Sequence, residues 1–569
     1  MQQKTKKYLL IGFVLITFLL LLYRITIHAD IYDEIINLSI SYRIALGDVP
    51  FYNIWESFQS GDVFLAPFLW IYKTIFGTTS GMILYSRILY IVILIMLACL
   101  LYRLMKKYLD SLTAFLLSYV IVFFQLYSLF YLWYDTVSVI FFLLGDILLL
   151  NALENSNVMK KKLLFVGAGI AHCYMAFSYP SFILVAVSLG IILFIVSVRV
   201  YKVSIKESFL SVFWYGLGAC AVILSLVIYF QSHVGLKTVF ETFRTITSSR
   251  GANSLSFLDM VRDIIIAYLK VNKFLIPVTI CLIILFLKSL KNKKFVQYFL
   301  VGVVVLPIFN QFFIGKNSLM GLANYLSYIS LWCPFIYYLM KDKTRLDKTL
   351  LLIFYLPTLV SMIAITMTSL YAAEGPVKCW QACLPSSIAT LYYLIIVWKQ
   401  NSEKTKKGYI YLLGIVILTL LFNSYSYIYL NQPYISFSDT RMKHGLFAGI
   451  KVNEKMKKQL ELQNYVNAHI TNCDTILAGS SLRTIYLMTD LKPFVWGVQS
   501  PAYYIDNVLS WDRCIMYFEY FNEYPDIMFL EKHELDNEKI QQIIKERYRL
   551  CSKKTIASKK VYVYKKSEL

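Results

Sequence analysis

Near the N-terminus the chain reads Tyr8-Leu-Leu-Ile-Gly-Phe-Val-Leu-Ile-Thr-Phe-Leu-Leu-Leu-Leu-Tyr-Arg-Ile-Thr-Ile27 and then His28-Ala-Asp-Ile-Tyr-Asp-Glu34. A run of about 20 predominantly apolar residues is long enough to cross a bilayer as one α-helix. Lysines precede this run, as in a secretory signal peptide, but no small-residue cleavage site follows it before the acidic residues. We therefore expect a retained first transmembrane helix with an acidic segment directly outside it.

Apolar runs of this kind recur along most of the chain. Hydrophobic residues make up 58% of the 569 residues, and the mean hydropathy is +0.59. The pattern predicts a polytopic α-helical membrane protein of about 13 transmembrane helices with an amphipathic first external loop. Residues 1–430 would form this multi-helix domain. The predicted spans are 8–27, 85–104, 111–128, 133–152, 163–178, 181–198, 208–230, 274–290, 296–314, 323–340, 349–370, 381–398 and 408–430.

Basic clusters assign the loops to the two sides of the membrane, because cytoplasmic loops carry an excess of Lys and Arg. The clusters fall in alternate loops and at the N-terminus, which we therefore expect to be cytoplasmic. The net charge of +22 is then mainly an orientation signal and needs no nucleic-acid partner. The Lys-, Ile- and Tyr-rich composition favours a bacterial cytoplasmic membrane. The predicted outer segments are 28–84, 231–273, 315–322, 371–380 and the C-terminal region.

The C-terminal region, residues 431–569, is more polar and predicts a small extracytoplasmic α/β domain. Its length is enough for one hydrophobic core. Helical patterns cover 453–470 and 537–548, and strand-like runs lie at 475–478, 484–488, 526–530 and 561–564. Cys473, Cys514 and Cys551 are an odd set in this domain, so the sequence does not decide whether two of them form a disulfide.

The sequence lacks the motifs of zinc binding and of nucleotide binding. The ten cysteines show no zinc spacing, and the chain has neither a Walker loop nor a Gly-x-Gly-x-x-Gly fingerprint. Nucleotide hydrolysis is therefore not supported. The chemistry is expected in polar residues at the outer ends of the helices.

The first candidate site is the acidic loop itself, where Asp30, Asp33 and Glu34 lie within five residues. The segment Glu34–Leu46, which includes Arg43, has the spacing of a helix lying along the membrane surface. A carboxylate here could accept a proton from a sugar hydroxyl. Alternatively, an acidic residue only caps the start of this helix in a solvated loop.

Further candidates are charged residues in or beside the later spans. Asp135 lies at the outer mouth of the fourth span, and Asp146 repeats about three turns deeper. Acids within a membrane are default functional candidates, although a hydrogen bond to a neighbouring helix is nearly as good an interpretation of Asp146. Basic residues in the outer loops could hold a phosphate of a lipid-linked substrate, or could extend to the lipid headgroups. They include Arg250, Lys316 and Lys378.

Together these features resemble the C-type membrane glycosyltransferases, in particular the protein O-mannosyltransferases and the lipid A aminoarabinose transferase. The resemblance rests on the acidic pair, on Gly47-Asp-Val-Pro-Phe-Tyr52, on the amphipathic stretch Pro67–Gly77 and on Arg87 at the second span. It covers residues 8–200. The chain departs from the family where a common Lys-Pro-Pro is replaced by Ser60-Gly-Asp-Val-Phe-Leu-Ala-Pro67.

The resemblance implies that Asp33, fourteen residues before Gly47, is the catalytic base, with Glu34 beside it and Asp135 as a second acid. Some relatives use a divalent metal such as Mg or Mn, which Asp33 and Asp135 would hold here. The implied donor is a polyprenyl-phosphate sugar, transferred with inversion to a glycan, lipid or protein acceptor. The proposed substrate contacts are Arg43, Lys378, Lys316 and Arg250.

A different class of function remains open, namely a flippase or transporter of a lipid-linked saccharide or envelope polymer. Its cavity would also be lined by Asp135, Asp146 and arginines. The two functions differ in which acid matters. Transfer depends on Asp33, whereas transport depends on the deeper Asp146.

Overall fold

The structure is a computed structural model of the chain. It describes residues 2–28, 30, 33–56, 59–126, 130–248, 258–259, 262, 265–266, 275–313, 321–368, 381–401, 407–426, 440–452, 454–479, 482–498, 510–556 and 559–567. Most of the described chain is α-helical. The β-strands lie in the C-terminal region, where five of them form one sheet.

In the N-terminal region helices coincide with the predicted spans, and further short helices lie between the spans. They are α1 (Gln2–Ile25), α2 (Asp33–Ala45), α3 (Gln59–Asp62), α4 (Ala66–Phe76), α5 (Met82–Met105), α6 (Ser111–Tyr119), α7 (Tyr134–Leu153), α8 (Val158–Ser178), α9 (Ile183–Arg199), α10 (Ile205–His233), α11 (Leu236–Ser248), α12 (Leu275–Lys291), α13 (Lys293–Phe313), α14 (Gly321–Leu331), α15 (Cys333–Leu339), α16 (Arg345–Leu350), α17 (Leu356–Thr368), α18 (Leu384–Asn401) and α19 (Gly408–Ser426). Short 3₁₀ turns continue α6 through Val120–Phe123 and precede α18 at Gln381–Cys383, and a π-helical turn, Leu351–Tyr355, joins α16 to α17.

Seven helical segments of the described chain are long and apolar enough to cross a membrane. They are Tyr8–Ile25, Met82–Met105, Tyr134–Leu153, Pro180–Arg199, Ile205–His233, Arg345–Ile365 and Gly408–Tyr425. The other six predicted spans also coincide with helices, some shorter or interrupted, in α6, α8, α12, α13, α14–α15 and α18. The predicted class, a multi-pass helical membrane protein, is confirmed.

Three short helices, α2, α3 and α4, lie between α1 and α5. The predicted surface helix exists as α2, but it is buried from Glu34 to Arg43 and does not lie open on the surface. The difference arises because α4 and the C-terminal region pack against it, which its local sequence cannot show. In helix α4, Leu69 is fully buried while Ile75 is 68% exposed, so the exposed side of this helix also carries apolar residues.

The C-terminal region forms the predicted α/β domain. Its strands are β1 (Thr440–Arg441), β2 (Lys451–Val452), β3 (Thr475–Ala478), β4 (Lys492–Pro493), β5 (Ile527–Glu531), β6 (Tyr548–Ile556) and β7 (Lys559–Lys566), and its helices are α20 (Glu454–Asn467), α21 (Ile485–Met488), α22 (Ser510–Phe521) and α23 (Glu538–Arg547). The sheet order is β4-β3-β5-β7-β6, with β4, β3 and β5 parallel and β7 antiparallel to both β5 and β6.

Two details of this domain differ from the sequence-based prediction. The run 484–488 was expected to be a strand, but Ile485–Met488 is a helical turn, because a short apolar run fits either structure. Helix α22 and strand β6 were not predicted. The thiols of Cys473, Cys514 and Cys551, all in described segments, are free in this structure.

The C-terminal region touches both ends of the first loop. At the end of α1, His28 N donates to Lys451 O (2.8 Å) and Lys451 N donates to Thr26 O (2.7 Å). At the start of α5, Gly81 N donates to Gly445 O at 3.0 Å. Backbone hydrogen bonds therefore tie the C-terminal region to the chain at both ends of the first loop.

Candidate functional site

The acidic segment after α1 begins with a helix cap. Asp30 Oδ2 accepts hydrogen bonds from Asp33 N (2.7 Å) and Glu34 N (3.1 Å), and Asp30 N donates to Glu34 Oε2 at 3.1 Å. This reciprocal arrangement satisfies backbone donors at the start of α2. Asp30 therefore caps α2, as in the alternative interpretation, but it is buried and does not lie in a solvated loop.

Glu34 forms a buried ion pair with Arg87 of α5. Arg87 Nε and Nη2 donate to the two carboxylate oxygens at 2.7 and 2.6 Å, and Arg87 Nη1 donates to His28 O at 2.6 Å. Burial and the charges of Arg87 and Arg24 lower the pKa of His28 to about 3, so its imidazole is neutral at physiological pH. Glu34 therefore anchors α2 to α5, and its part in catalysis stays a prediction.

Replacing Glu34 by glutamine is expected to destabilise the protein by about 3–5 kcal/mol, because it leaves the Arg87 guanidinium buried without its counter-charge. The readout is the thermal unfolding midpoint of the purified protein. As a matched control, Asp512→Asn removes an exposed pair with Lys539 and should leave the unfolding midpoint nearly unchanged. Equal midpoints for the two variants would contradict the assigned role of Glu34.

Asp33 is the most exposed of the three acids. It is half-buried, whereas Asp30 and Glu34 retain only 5% and 0% of their exposure. Asp33 is also the first residue of α2, which the Asp30 cap and the Glu34–Arg87 pair hold in place. A carboxylate that is not fully buried and lies on a fixed helix is suited to general-base chemistry.

Asp135 lies in the first turn of α7 and is fully buried. The turn is closed by Thr136, whose hydroxyl accepts from Trp133 N at 3.0 Å. Helix α3 packs against α2 and α7. Its contact with α7 is so close that only glycine fits at position 61, where a Cβ would lie 2.2 Å from Tyr134 Cα. Helix α3 thus connects the acidic loop to the start of α7.

A metal ion held by Asp33 and Asp135 stays a prediction. Among the described residues, no group of three or more His, Cys, Asp or Glu side chains is arranged to hold a metal ion. Water or substrate oxygens would have to complete such a site. The mechanism proposed below therefore rests on the side chains alone.

Asp62 is a buried acid that the sequence reasoning missed. It is fully buried on α3; Ser41 Oγ donates to its Oδ1 at 3.3 Å, and Oδ2 has no hydrogen-bond partner among the described residues. Burial raises the pKa of Asp62 well above its usual value, and the nearby Glu56 adds to the effect. The only sequence signal was an acid where the family carries Lys-Pro-Pro.

Asp62→Asn is expected to raise the unfolding midpoint by a few degrees at pH 7.5. A raised pKa in the folded state means that stability is lost as pH rises from about 4, the unfolded value, towards the folded pKa. The amide mimics the neutral acid without this loss, so its advantage should shrink at pH 5. Midpoints measured across pH 5–8 test this, and a stability difference that does not change with pH would contradict it.

Arg43, predicted to contact substrate, is fully buried and bonded to protein groups. Its Nε donates to Asp48 Oδ2 at 2.7 Å, Nη1 to Val495 O at 2.8 Å and Nη2 to Asn53 O at 2.8 Å. These contacts join α2 to the C-terminal domain and give Arg43 a structural role. A substrate contact for Arg43 stays a prediction.

The remaining predicted residues divide into two groups. Arg250, Lys316 and Lys378 lie outside the described residues. Asp146 lies deep in α7, where its Oδ1 is 3.3 Å from His172 Nε2 of α8 and both residues are fully buried. The contact places Asp146 against a neighbouring helix, but neither of its carboxylate oxygens has a hydrogen-bond partner among the described residues, so the interpretation of Asp146 as a hydrogen-bonding residue stays a prediction.

The chain is similar in structure to a solved membrane protein. A crystal structure of the Archaeoglobus fulgidus oligosaccharyltransferase, tethered by a disulfide bond to an acceptor peptide containing the NVT sequon, is similar to the chain at 11% identity with a TM-score of 0.47. The match covers 99% of this chain and 74% of that one. No protein-family model and no curated protein matches the chain.

Proposed function

We propose that this protein is a membrane glycosyltransferase that moves a sugar from a polyprenyl-phosphate-linked donor to a cell-envelope glycan, lipid or protein. The observation that carries the proposal is Asp33, the accessible acid of a helix fixed by a buried cap and a buried ion pair. A rigid scaffold and a carboxylate that is not fully buried are what a positioned base requires.

In the proposed reaction Asp33 accepts the proton of an acceptor hydroxyl. The hydroxyl oxygen attacks the anomeric carbon, the bond from that carbon to the phosphate oxygen breaks, and polyprenyl phosphate leaves with the electron pair. The configuration at carbon is inverted. A positioned general base typically contributes about 100- to 10,000-fold to such a step.

The leaving phosphate requires a cation, for which Lys378, Lys316 and Arg250 are the proposed residues. All three belong to loops on the predicted outer side, together with the acidic loop and the C-terminal domain. We propose that the N-terminus is cytoplasmic and that transfer takes place on the outer face of a bacterial cytoplasmic membrane.

The second candidate, a flippase or transporter, would depend on Asp146. Asp146 is fully buried and faces His172 at 3.3 Å, so in this structure it lines no open path. The transferase proposal expects Asp146→Asn to leave transfer within a few-fold of the wild type. A transport function would be damaged by Asp146→Asn and little affected by Asp33→Asn.

The proposal is tested by comparing a deletion strain with the wild type. Loss of a transferase should remove a sugar from surface glycans and cause its polyprenyl-linked donor to accumulate. Both are measured by mass spectrometry of surface glycans and extracted lipids. Unchanged glycans with no accumulated lipid-linked sugar would overturn the proposal.

A further inference from the structure

A small cavity among the helices has an apolar wall except for two side-chain amides. The amides belong to Gln125, which follows the 3₁₀ turn after α6, and to Asn423, in the last turn of α19. Its interior has room for one water-sized group. Phe124, Leu126, Leu326, Cys383 and Leu420 complete the wall.

The two amides are buried and incompletely bonded. Gln125 and Asn423 keep only 6% and 3% of their exposure. Gln125 Nε2 donates to Leu420 O at 3.1 Å, but Gln125 Oε1 and Asn423 Nδ2 have no hydrogen-bond partner among the described residues. Leaving such groups unpaired away from water is unfavourable, so the cavity is built for a polar guest.

The missing hydrogen bonds of the two amides indicate which chemical group the cavity would bind. Gln125 Oε1 needs a donor and Asn423 Nδ2 needs an acceptor, and one hydroxyl supplies both in a water-sized volume. An ammonium group cannot accept, and a carboxylate cannot donate. A single neutral hydroxyl therefore fits this cavity better than a charged group.

The position of the cavity relates it to the proposed reaction. Gln125, Asn423 and Cys383 all lie at the ends of their spans that are predicted to be external. Ser424, the neighbour of Asn423, accepts a hydrogen bond through its carbonyl from Arg24 Nε at 2.6 Å, and Arg24 lies in the last turn of α1, just before the acidic loop. Resting on the proposed function, we propose that this cavity binds one hydroxyl of the sugar carried by the lipid-linked donor.

The test is a binding measurement on the full chain in lipid nanodiscs. The probes are undecaprenyl phosphate and the lipid-linked sugar purified from the deletion strain. The double variant Gln125→Leu/Asn423→Leu should bind the sugar-bearing lipid about 10-fold more weakly, because two neutral hydrogen bonds are lost. Its affinity for undecaprenyl phosphate should not change.

Two further variants keep the result interpretable. If the double variant does not fold, Asn423→Leu alone should weaken binding of the sugar-bearing lipid about 3- to 5-fold. The control is Asn401→Leu. Asn401 lies at the C-terminal end of α18, whereas Cys383 of the cavity directly precedes the N-terminal end of this helix. The Asn401 Nδ2 donates to Val397 O, and its replacement should change neither affinity.

Equal affinity of the double variant and the wild type for the sugar-bearing lipid would overturn the subsite and leave the cavity as a structural water site. Weaker binding of both probes would also overturn it, since the hydroxyl would not be what the amides recognise. If the deletion strain accumulates no lipid-linked sugar, the proposed function itself fails, and the subsite fails with it.

Discussion

Replacing Asp33 by asparagine is expected to lower sugar transfer about 100- to 10,000-fold, because the amide has nearly the same shape but cannot accept the proton of the acceptor hydroxyl. The fold should be preserved, since the backbone N–H of residue 33 still donates to Asp30 and the Glu34–Arg87 pair is untouched. The measurement is the single-turnover rate of label transfer from the donor, with the protein at saturating concentration.

Two controls separate catalysis from folding in this experiment. Glu523→Gln changes an exposed acid of the C-terminal domain and should transfer at the wild-type rate. The Asp33→Asn protein should melt within a few degrees of the wild type and still bind the donor. A transfer rate within about 3-fold of the wild type would remove Asp33 from the role of base.

Arg43→Met is expected to destabilise the protein by about 3–5 kcal/mol and to loosen the C-terminal domain from the first loop. The change removes the charged partner Arg43 from the buried Asp48 carboxylate. The carbonyl oxygens of Val495 and Asn53 also lose the hydrogen bonds that Arg43 donates to them. Thermal unfolding and limited proteolysis of the domain give the readout. Transfer should also fall, because the loop that carries Asp33 loses its cover.

A second substitution separates the contribution of the Arg43–Asp48 ion pair to stability from that of the other contacts of Arg43. In Arg43→Met the buried Asp48 keeps only the partly exposed Lys492, 2.8 Å away, as a charged partner. Adding Asp48→Leu removes this poorly compensated buried charge and should recover part of the lost stability. Lys73→Met is the control, because its pair with Asp490 is partly exposed and should contribute less than about 1 kcal/mol. A double variant less stable than Arg43→Met alone would contradict this explanation.

The sequence predicted the fold class well because its signal is local. Each span is an apolar run whose length and composition determine a helix, and β3, β5 and β7 are bounded runs of the same kind. The break at Tyr179-Pro180 was also predictable, since α8 ends at Ser178 and α9 begins at Ile183 after a proline-led turn.

The arrangement of the candidate site was less predictable because its contacts join distant residues. Arg43 bonds to Val495, 452 positions later, and Glu34 bonds to Arg87, 53 positions later. Neither pair leaves a periodic pattern, so Arg43 was assigned to substrate and Glu34 to catalysis. Asp62 was passed over for the same reason, since burial is a property of what packs around α3.

The proposed transferase function requires that a sugar leaves its lipid carrier on this protein. The most direct measurement reconstitutes the full chain in proteoliposomes with a doubly labelled polyprenyl-phosphate sugar and its acceptor, and follows the sugar and lipid labels separately. If the protein is a transferase, the sugar label moves to the acceptor and leaves unglycosylated polyprenyl phosphate behind. Movement of the intact, doubly labelled lipid across the bilayer, with no sugar released, would contradict it.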